Sequence, residues 1–422
     1  MIYFTAFLYK MKQQLTVIGG GAAGFFCAVN AARLNPLLKV VIVEKSSKLL
    51  AKVKVSGGGR CNVTHACFDI AEMSRKYPRG QNFVKKTFHQ FFTTDTIEWF
   101  KERSVTLITE SDGRMFPSTN SAATITDCLL REANKYGVEI IMNREVVAVQ
   151  KEEAQFKLLF NNNHSIVTDY VCVAAGGYPK VTMFNWLLQL GHNIEAPLPS
   201  LFTFNLPSNA ITQLMGVSVE QATVKIVSTK LAETAPLLIT HWGLSGPAVL
   251  KLSAWGAREL AAMSYEFNIV VNWLPAIKEP ELRSLLQQYR NELAHQKLGS
   301  KNQFDLPARL WDFILKHCGI DTNIRWADLS ATSLNKLVQI LNQHSFKVSG
   351  KTTFKEEFVT AGGIQLNEVE PHTMMSKLQQ GLFFAGEILN VDGITGGFNF
   401  QNAWTTGWIA AKTIADLSVT AV

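Results

Sequence analysis

Gly19-Gly20-Gly21-Ala22-Ala23-Gly24 stands between a β-branched run, Leu15-Thr16-Val17-Ile18, and a helix-like segment from Phe25 to Leu34. A glycine turn in that position constrains the chain more than any other feature, because it predicts strand, tight turn and helix in immediate succession. A second apolar run, Lys39 to Val43, ends in Glu44, twenty residues beyond Gly24. That is the spacing of a dinucleotide-binding βαβ unit. Gly19 permits the turn, Gly21 with Ala22 and Ala23 lets backbone amides approach a pyrophosphate, and Gly24 lets the helix lie close to the strand. The helix N-terminus supplies partial positive charge to the phosphates. Glu44, beside Lys45, can accept both hydrogen bonds from an adenosine ribose and would repel a 2′-phosphate, which favours FAD or NAD over a phosphorylated dinucleotide. A purely structural glycine turn is the alternative; the strand before, helix after and acid on schedule weigh against it.

The chain has 422 residues, 47% hydrophobic and 18% charged, enough for two to three domains with real cores. Its formal net charge of +7 reflects few acids rather than a polybasic tail, which favours anionic ligands and argues against a dedicated nucleic-acid binder. No apolar run approaches the length of a membrane-spanning helix. The six cysteines, at positions 27, 61, 67, 128, 172 and 318, are too sparse for a disulfide scaffold and include no C-x-x-C pair, so no metal site is expected and a reducing cytoplasm is. Residues 1–10 read as an extension without a basic leader or cleavage site, and Met11 is an equally placed start.

Two later regions repeat the logic of a chain passing close to a cofactor. Ser56-Gly57-Gly58-Gly59-Arg60-Cys61-Asn62-Val63-Thr64 contains three consecutive glycines, expensive in any helix or strand interior. Gly59, Arg60, Cys61 and Asn62 are its candidate cofactor residues, Arg60 for pyrophosphate and Asn62 for a flavin or ribose edge. The strand Tyr170 to Ala174 runs into Ala175-Gly176-Gly177, and Gly381 to Glu387 has the same character. Asp392 and Asn399-Phe400-Gln401-Asn402-Ala403 then lead into a last helix to about Leu417, whose N-terminus would stabilise the negative charge of a reduced isoalloxazine ring.

These segments, with Gly113 to Pro117, Thr240-His241-Trp242-Gly243-Leu244-Ser245-Gly246-Pro247, Ala361 to Ile364 and Gly381 to Gly407, resemble the flavoproteins of the two-dinucleotide-fold class. Within it they are most similar to the aminoacetone oxidase-like, or bile-acid 3-dehydro-4,6-reductase-type, family. The resemblance covers the chain from Leu15 onward. It implies non-covalent FAD held by a domain built from both ends of the sequence. By resemblance, Glu44 holds the ribose, Arg60 and Asn62 the central part of the cofactor, Val147 the adenine through its backbone, and Gly386, Glu387 and Asn399 to Ala403 the flavin end. Two departures, Lys180 to Asn185 where the family has a Thr-Gly-Ser/Thr-like stretch after the Pro of Gly-Gly-x-x-Pro, and Asn390 where it has Asp, leave the substrate open.

The expected architecture is α/β: a Rossmann-like FAD-binding domain in two parts, 11–195 and 356–422, with an insertion at 196–355, β-rich over 196–275 and helical over 276–346. The insertion reads as a lid or substrate-shaping domain. Its His241 is a candidate proton donor, and Cys61 is a second catalytic candidate; as a redox disulfide, Cys61 and Cys67 are spaced one residue too far apart. The absence of a second G-x-G-x-x-G leaves open an oxidase using dioxygen or a reductase of conjugated double bonds fed by diffusible NAD(P)H. A small-molecule substrate, no stable nucleic-acid partner and an open oligomeric state are expected. The competing readings are a flavin-containing sensor that contacts RNA or another acidic partner, and a peripheral membrane quinone reductase.

Overall fold

A computed structural model of the chain describes residues 12–353 and 359–420; the expectations for residues 1–10 and Met11 fall outside them. The chain divides into two compact units, Met1–Leu198 with Val359–Val422, and Pro199–Phe358.

In the first unit, β1 (Gln14–Ile18), β2 (Lys39–Val43), β3 (Glu139–Ile141), β4 (Tyr170–Val173) and β5 (Leu382–Phe384) form one sheet in the order β5-β4-β1-β2-β3. Every neighbouring pair is parallel. The central strands are buried on both faces, so they read as continuous apolar runs rather than as alternation. β1 has β2 on one side and β4 on the other, and the reversal of strand order at that point opens a crevice at the C-terminal strand ends.

Helix α1 (Ala22–Leu34) follows β1 and lies against α2 (Phe398–Thr420). Their approach is close: a Cβ placed on Gly407 would come within 2.8 Å of the Ala23 carbonyl oxygen. Phe26 of α1 is enclosed by Phe91, Trp99 and Trp404, with ring centroids 5.5, 4.6 and 5.2 Å away. Burying an aromatic side chain of this kind contributes about 1.5–3 kcal/mol, so the contact fixes the last helix, from the far end of the sequence, beside the first. The helix starts at Ala22, three residues before the apolar pattern suggests, because Gly24 belongs to its first turn.

A three-stranded antiparallel sheet (Val146–Glu152, Gln155–Phe160, Ser165–Thr168) and a smaller one (Leu107–Thr109, Arg114–Pro117, Thr64–His65) complete the strands that support the site.

The second unit carries a seven-stranded antiparallel sheet, in the order His344–Ser349, Glu266–Asn272, Ser218–Ile226, Ala232–Ile239, Gly243–Ser245, Thr203–Asn205, Lys351–Thr352. Helices Glu279–Glu292, Ala308–His317 and Ala331–Gln343 share its core, where Trp273, Trp311 and Trp326 are fully enclosed. Two sequence expectations are corrected here. Pro247–Trp255 and Ala257–Ala262, in the stretch read as β-rich, are helical. His344 to Phe346, read as helix, pair as an edge strand with Val271 to Ile269.

Candidate functional site

The glycine turn brings three segments to one point. Gly19 has φ of +111°, and a Cβ there would lie 2.4 Å from the Ala174 carbonyl oxygen at the end of β4. Gly24 is held tighter still, its Cβ position being 1.9 Å from the Gly19 carbonyl oxygen. Gly21 differs: it caps α1 with ordinary extended backbone, and its Cβ position meets no protein atom within 4 Å. No side chain caps α1 and no acid lies in its first turn, so its first N–H groups and dipole are available to an anion.

Glu44, at the end of β2, has a structural role as well. Its Oε2 accepts from the Gly20 N–H at 2.8 Å, and its Oε1 accepts from the Ser46 N–H at 2.9 Å and hydroxyl at 2.8 Å. Each oxygen keeps further acceptor capacity, and the carboxylate is half-buried on the rim of a shallow groove. Ile18, Gly19, Lys45, Arg144, Val146, Ala175 and Tyr178 line the same groove. Lys45 Nζ sits 5.7 Å from the centre of the Tyr178 ring. Val147 is exposed on a strand irregularity, while its neighbour Val146 lines the groove.

From this groove a band of close backbone runs along the sheet edge. Gly176, beyond Ala175, has φ of +75°, and a Cβ on Gly177 would meet Thr360 Oγ1 at 2.3 Å and Glu387 Oε1 at 2.7 Å. A Cβ on Gly386 would lie 2.8 Å from the Ala23 Cβ. Glu387 accepts from the Thr360 N–H at 2.9 Å and pairs with Lys52 at 2.6 Å. Beside it, Thr360 Oγ1, Asn390 Oδ1 and Asn402 Oδ1 are buried side-chain atoms with no hydrogen-bond partner. A buried polar atom left without a partner costs roughly 1–3 kcal/mol.

The triple-glycine loop is a run of left-handed residues, with φ of +59°, +69° and +83° at Gly57, Gly58 and Gly59. It turns the chain out of a short helix onto the Arg114–Pro117 strand, where Phe116 stacks under Arg60 with the guanidinium carbon 4.0 Å from the ring centre. Two motifs far apart in sequence are thus one structural piece.

Four expected cofactor side chains turn out to be engaged by the protein. Arg60 pairs with Glu110 at 2.6 Å. Asn62, with its amide oriented to satisfy both neighbours, donates to the Thr64 carbonyl and accepts from the Gly397 N–H, each at 3.0 Å. Asp392, fully buried, is paired with Arg79. Gln401 accepts from Thr64 Oγ1 at 2.6 Å and Thr96 Oγ1 at 3.0 Å, donates to Thr405 Oγ1 at 3.1 Å, and its N–H closes the helix onto Gly397. Their side chains therefore build the cradle's walls. Asn399 likewise brackets Gly393 through its N–H and carbonyl at 2.8 and 2.9 Å. Phe400 is half-exposed and stacks on Trp404, while Ala403 is buried beside Gly386. Lys52 and Arg79 carried no sequence signal, because their partners Glu387 and Asp392 lie more than 300 positions away.

The catalytic reading of Cys61 is corrected. The residue is fully buried and burial pushes its thiol up to about 12, so it is no thiolate at neutral pH. All six cysteines are buried and unbridged. Native protein is accordingly expected to react with a thiol-specific reagent at pH 8 only on unfolding; rapid labelling of Cys61 in the folded state would contradict this environment. His241 lies in the second unit on an exposed turn, its ring 4.5 Å from that of Trp242.

The parallel sheet, the glycine turn and the acid on the rim of the groove define the class as a Rossmann-type dinucleotide-binding fold. The chain belongs to the family described as HI0933-like protein Rossmann domain, whose model matches residues 13–413. It is 29% identical over 94% of its length to the ribosomal RNA dihydrouridine synthase of Escherichia coli K12, spanning 96% of that protein. It is 26% identical over 96% of its length to the 3-dehydro-bile acid delta(4,6)-reductase of Clostridium scindens, spanning 99% of that protein. Among solved structures, the fold is similar to a 3-ketosteroid delta1-dehydrogenase from Sterolibacterium denitrificans, with a TM-score of 0.51, 13% identity, and 96% and 99% of the two chains covered. A flavocytochrome c3 fumarate reductase also gives 0.51, at 15% identity and with 96% and 78% covered. Among the described residues no helix is long and apolar enough to cross a membrane.

Proposed function

We propose that this protein holds FAD non-covalently and reduces a carbon–carbon double bond conjugated to a carbonyl group, drawing electrons from a diffusible nicotinamide. The observation that carries the reading is what two full-length relatives share. Dihydrouridine formation and reduction of a 3-oxo delta(4,6) system act on different molecules, but both add two hydrogens across a carbonyl-conjugated double bond. When bound and reduced, FAD supplies a hydride to the β-carbon of such a bond. A proton must then reach the α-carbon.

The cradle fits the cofactor. The N-terminus of α1 at Gly21 to Gly24 would hold the pyrophosphate, and Glu44 the ribose. The groove lined by Lys45, Val146 and Ala175 would take the adenine side, and the region of Gly386, Glu387, Asn399, Phe400 and Asn402 the flavin end. The orphaned acceptors at Thr360, Asn390 and Asn402 support that placement. Uridine in ribosomal RNA is the first substrate to test, because relatives named ribosomal RNA dihydrouridine synthase in both Escherichia coli and Haemophilus influenzae are 29% identical along nearly their whole length.

The test is a visible spectrum of purified protein followed anaerobically by NADH or NADPH, then by an acceptor. Bleaching by nicotinamide, with colour restored faster by a uridine-containing RNA or a conjugated steroid ketone than by air, is the expected result. A flavin reoxidised only by dioxygen would overturn the reading. For the adenosine end, Glu44→Ala is expected to purify with several-fold lower FAD occupancy. Full occupancy in that variant would remove Glu44 from the site.

A further inference from the structure

One rim of the second unit's sheet is built from three turns knit together by their backbones. Leu206 N–H donates to the Trp242 carbonyl at 2.8 Å, and Gly216 N–H to the Ile239 carbonyl at 2.9 Å. The Thr240–Gly243 turn is rigid. Thr240 N–H bonds the Gly243 carbonyl at 2.8 Å, and the Thr240 hydroxyl receives the N–H groups of Trp242 at 3.3 Å and Gly243 at 3.2 Å. Gly243 has φ of +150°, and any Cβ on it would lie 2.2 Å from the Phe204 carbonyl oxygen.

On this stiff support the chain displays what water disfavours. Trp242 is 45% exposed and Met215 is 57% exposed, with the His241 ring packed beside the indole. Arg309 joins them from the helix Ala308–His317, its guanidinium donating to the Gln213 carbonyl at 2.9 Å and the Met215 carbonyl at 3.4 Å. It is exposed and makes no ion pair among the described residues, so a positive charge is fixed on the backbone of the Met215 turn. Nothing in the unit's own core requires Trp242 to be outside, since three other tryptophans are fully enclosed there.

We propose that this rim is an RNA contact surface, on which an unpaired base stacks against Trp242, with His241 and Met215 flanking it and Arg309 neutralising an adjacent phosphate. The proposal rests on the reading of RNA as the substrate. Stacking on an aromatic ring tolerates any base and needs a rigid, exposed plate; a polyanion needs an unpaired cation next to it. The exposed Trp242 ring on one turn and the exposed Arg309 bonded to the backbone of the Met215 turn supply both.

The experiment uses the full chain loaded with FAD and a short single-stranded RNA rich in uridine, with binding followed by fluorescence anisotropy at two salt concentrations. Wild type is expected to bind more weakly as salt rises. Trp242→Ala should weaken binding on the order of tenfold, with Trp242→Phe restoring most of the loss. Arg309→Gln should weaken it less and lower the salt slope by roughly one phosphate's share. Inorganic polyphosphate, which has no bases, separates the two roles: Arg309→Gln should weaken its binding and Trp242→Ala should not. FAD absorbance and thermal midpoint at wild-type values show that each variant is folded. RNA binding undiminished in Trp242→Ala would overturn the proposal, as would a loss of self-association in that variant with RNA affinity intact, which would mark the rim as a protein interface. Failure of wild type to bind RNA would remove this surface while leaving the reductase reading to its own test, the reoxidation of reduced flavin by a conjugated ketone.

Discussion

Gly24→Ala is expected to yield a protein with little or no bound FAD and a stability lower by about 3 kcal/mol, the upper end of what overpacking a well-filled site costs. The added methyl would sit 1.9 Å from the Gly19 carbonyl oxygen, a backbone atom that cannot rotate away. The helix cannot retreat either, because Ala23 already lies against the Gly407 backbone of α2. Relief must come from shifting the Gly19 turn, whose φ of +111° already suits only glycine, and that turn positions the phosphate-facing N–H groups. Gly21→Ala is the control. Its Cβ direction is open and its backbone extended, so stability should hold while FAD occupancy falls, the methyl standing on the ligand side. Thermal melting and flavin absorbance of the two variants measure the contrast; a Gly24→Ala protein melting like wild type would refute the close approach of helix and turn.

Asp392→Ala is expected to cost about 3–5 kcal/mol, read from urea unfolding. Asp392 is fully buried and its partner's guanidinium is only 12% exposed, so removing the carboxylate strands a positive charge in a place water hardly reaches. The pair joins the segment after Ser74 to the loop that precedes α2, and the neighbouring Tyr77 hydroxyl donates to the Phe398 carbonyl at 2.6 Å. A double variant, Arg79→Met with Asp392→Leu, should recover much of the loss, because two apolar side chains of similar size need no partner. Equal stability of Asp392→Ala and wild type would show that the pair is solvated and contributes nothing.

Much of the first unit was legible along the chain. The strands β1, β2 and β4 read as apolar runs, and the turn between β1 and α1 as a phosphate loop, because local backbone demands and burial on both sheet faces leave a mark at each residue. The limits show at Asp392, Asn62 and Gln401. Each carries a polar side chain in a segment that passes the cofactor cradle, so each reads as a ligand; the structure turns each one toward a protein partner instead. A polar residue's type records that it needs a hydrogen bond, not whom it bonds. The same holds for Glu44, whose carboxylate was legible as a ribose acceptor but whose grip on Gly20 and Ser46 was not.

By itself, then, the sequence determined the elements whose causes are local: the parallel strands, the glycine turn, the left-handed glycine loop and the acid at the end of β2. Tertiary structure alone decided which distant residues meet. It set Lys52 against Glu387, Arg79 against Asp392 and Gln401 against Thr64, and it left the side-chain oxygens of Thr360, Asn390 and Asn402 without a hydrogen-bond partner. The physical reason is that backbone conformation and apolar periodicity are properties of a few consecutive residues, whereas a hydrogen bond or ion pair across 300 or more positions exists only once the core has closed around α1 and α2.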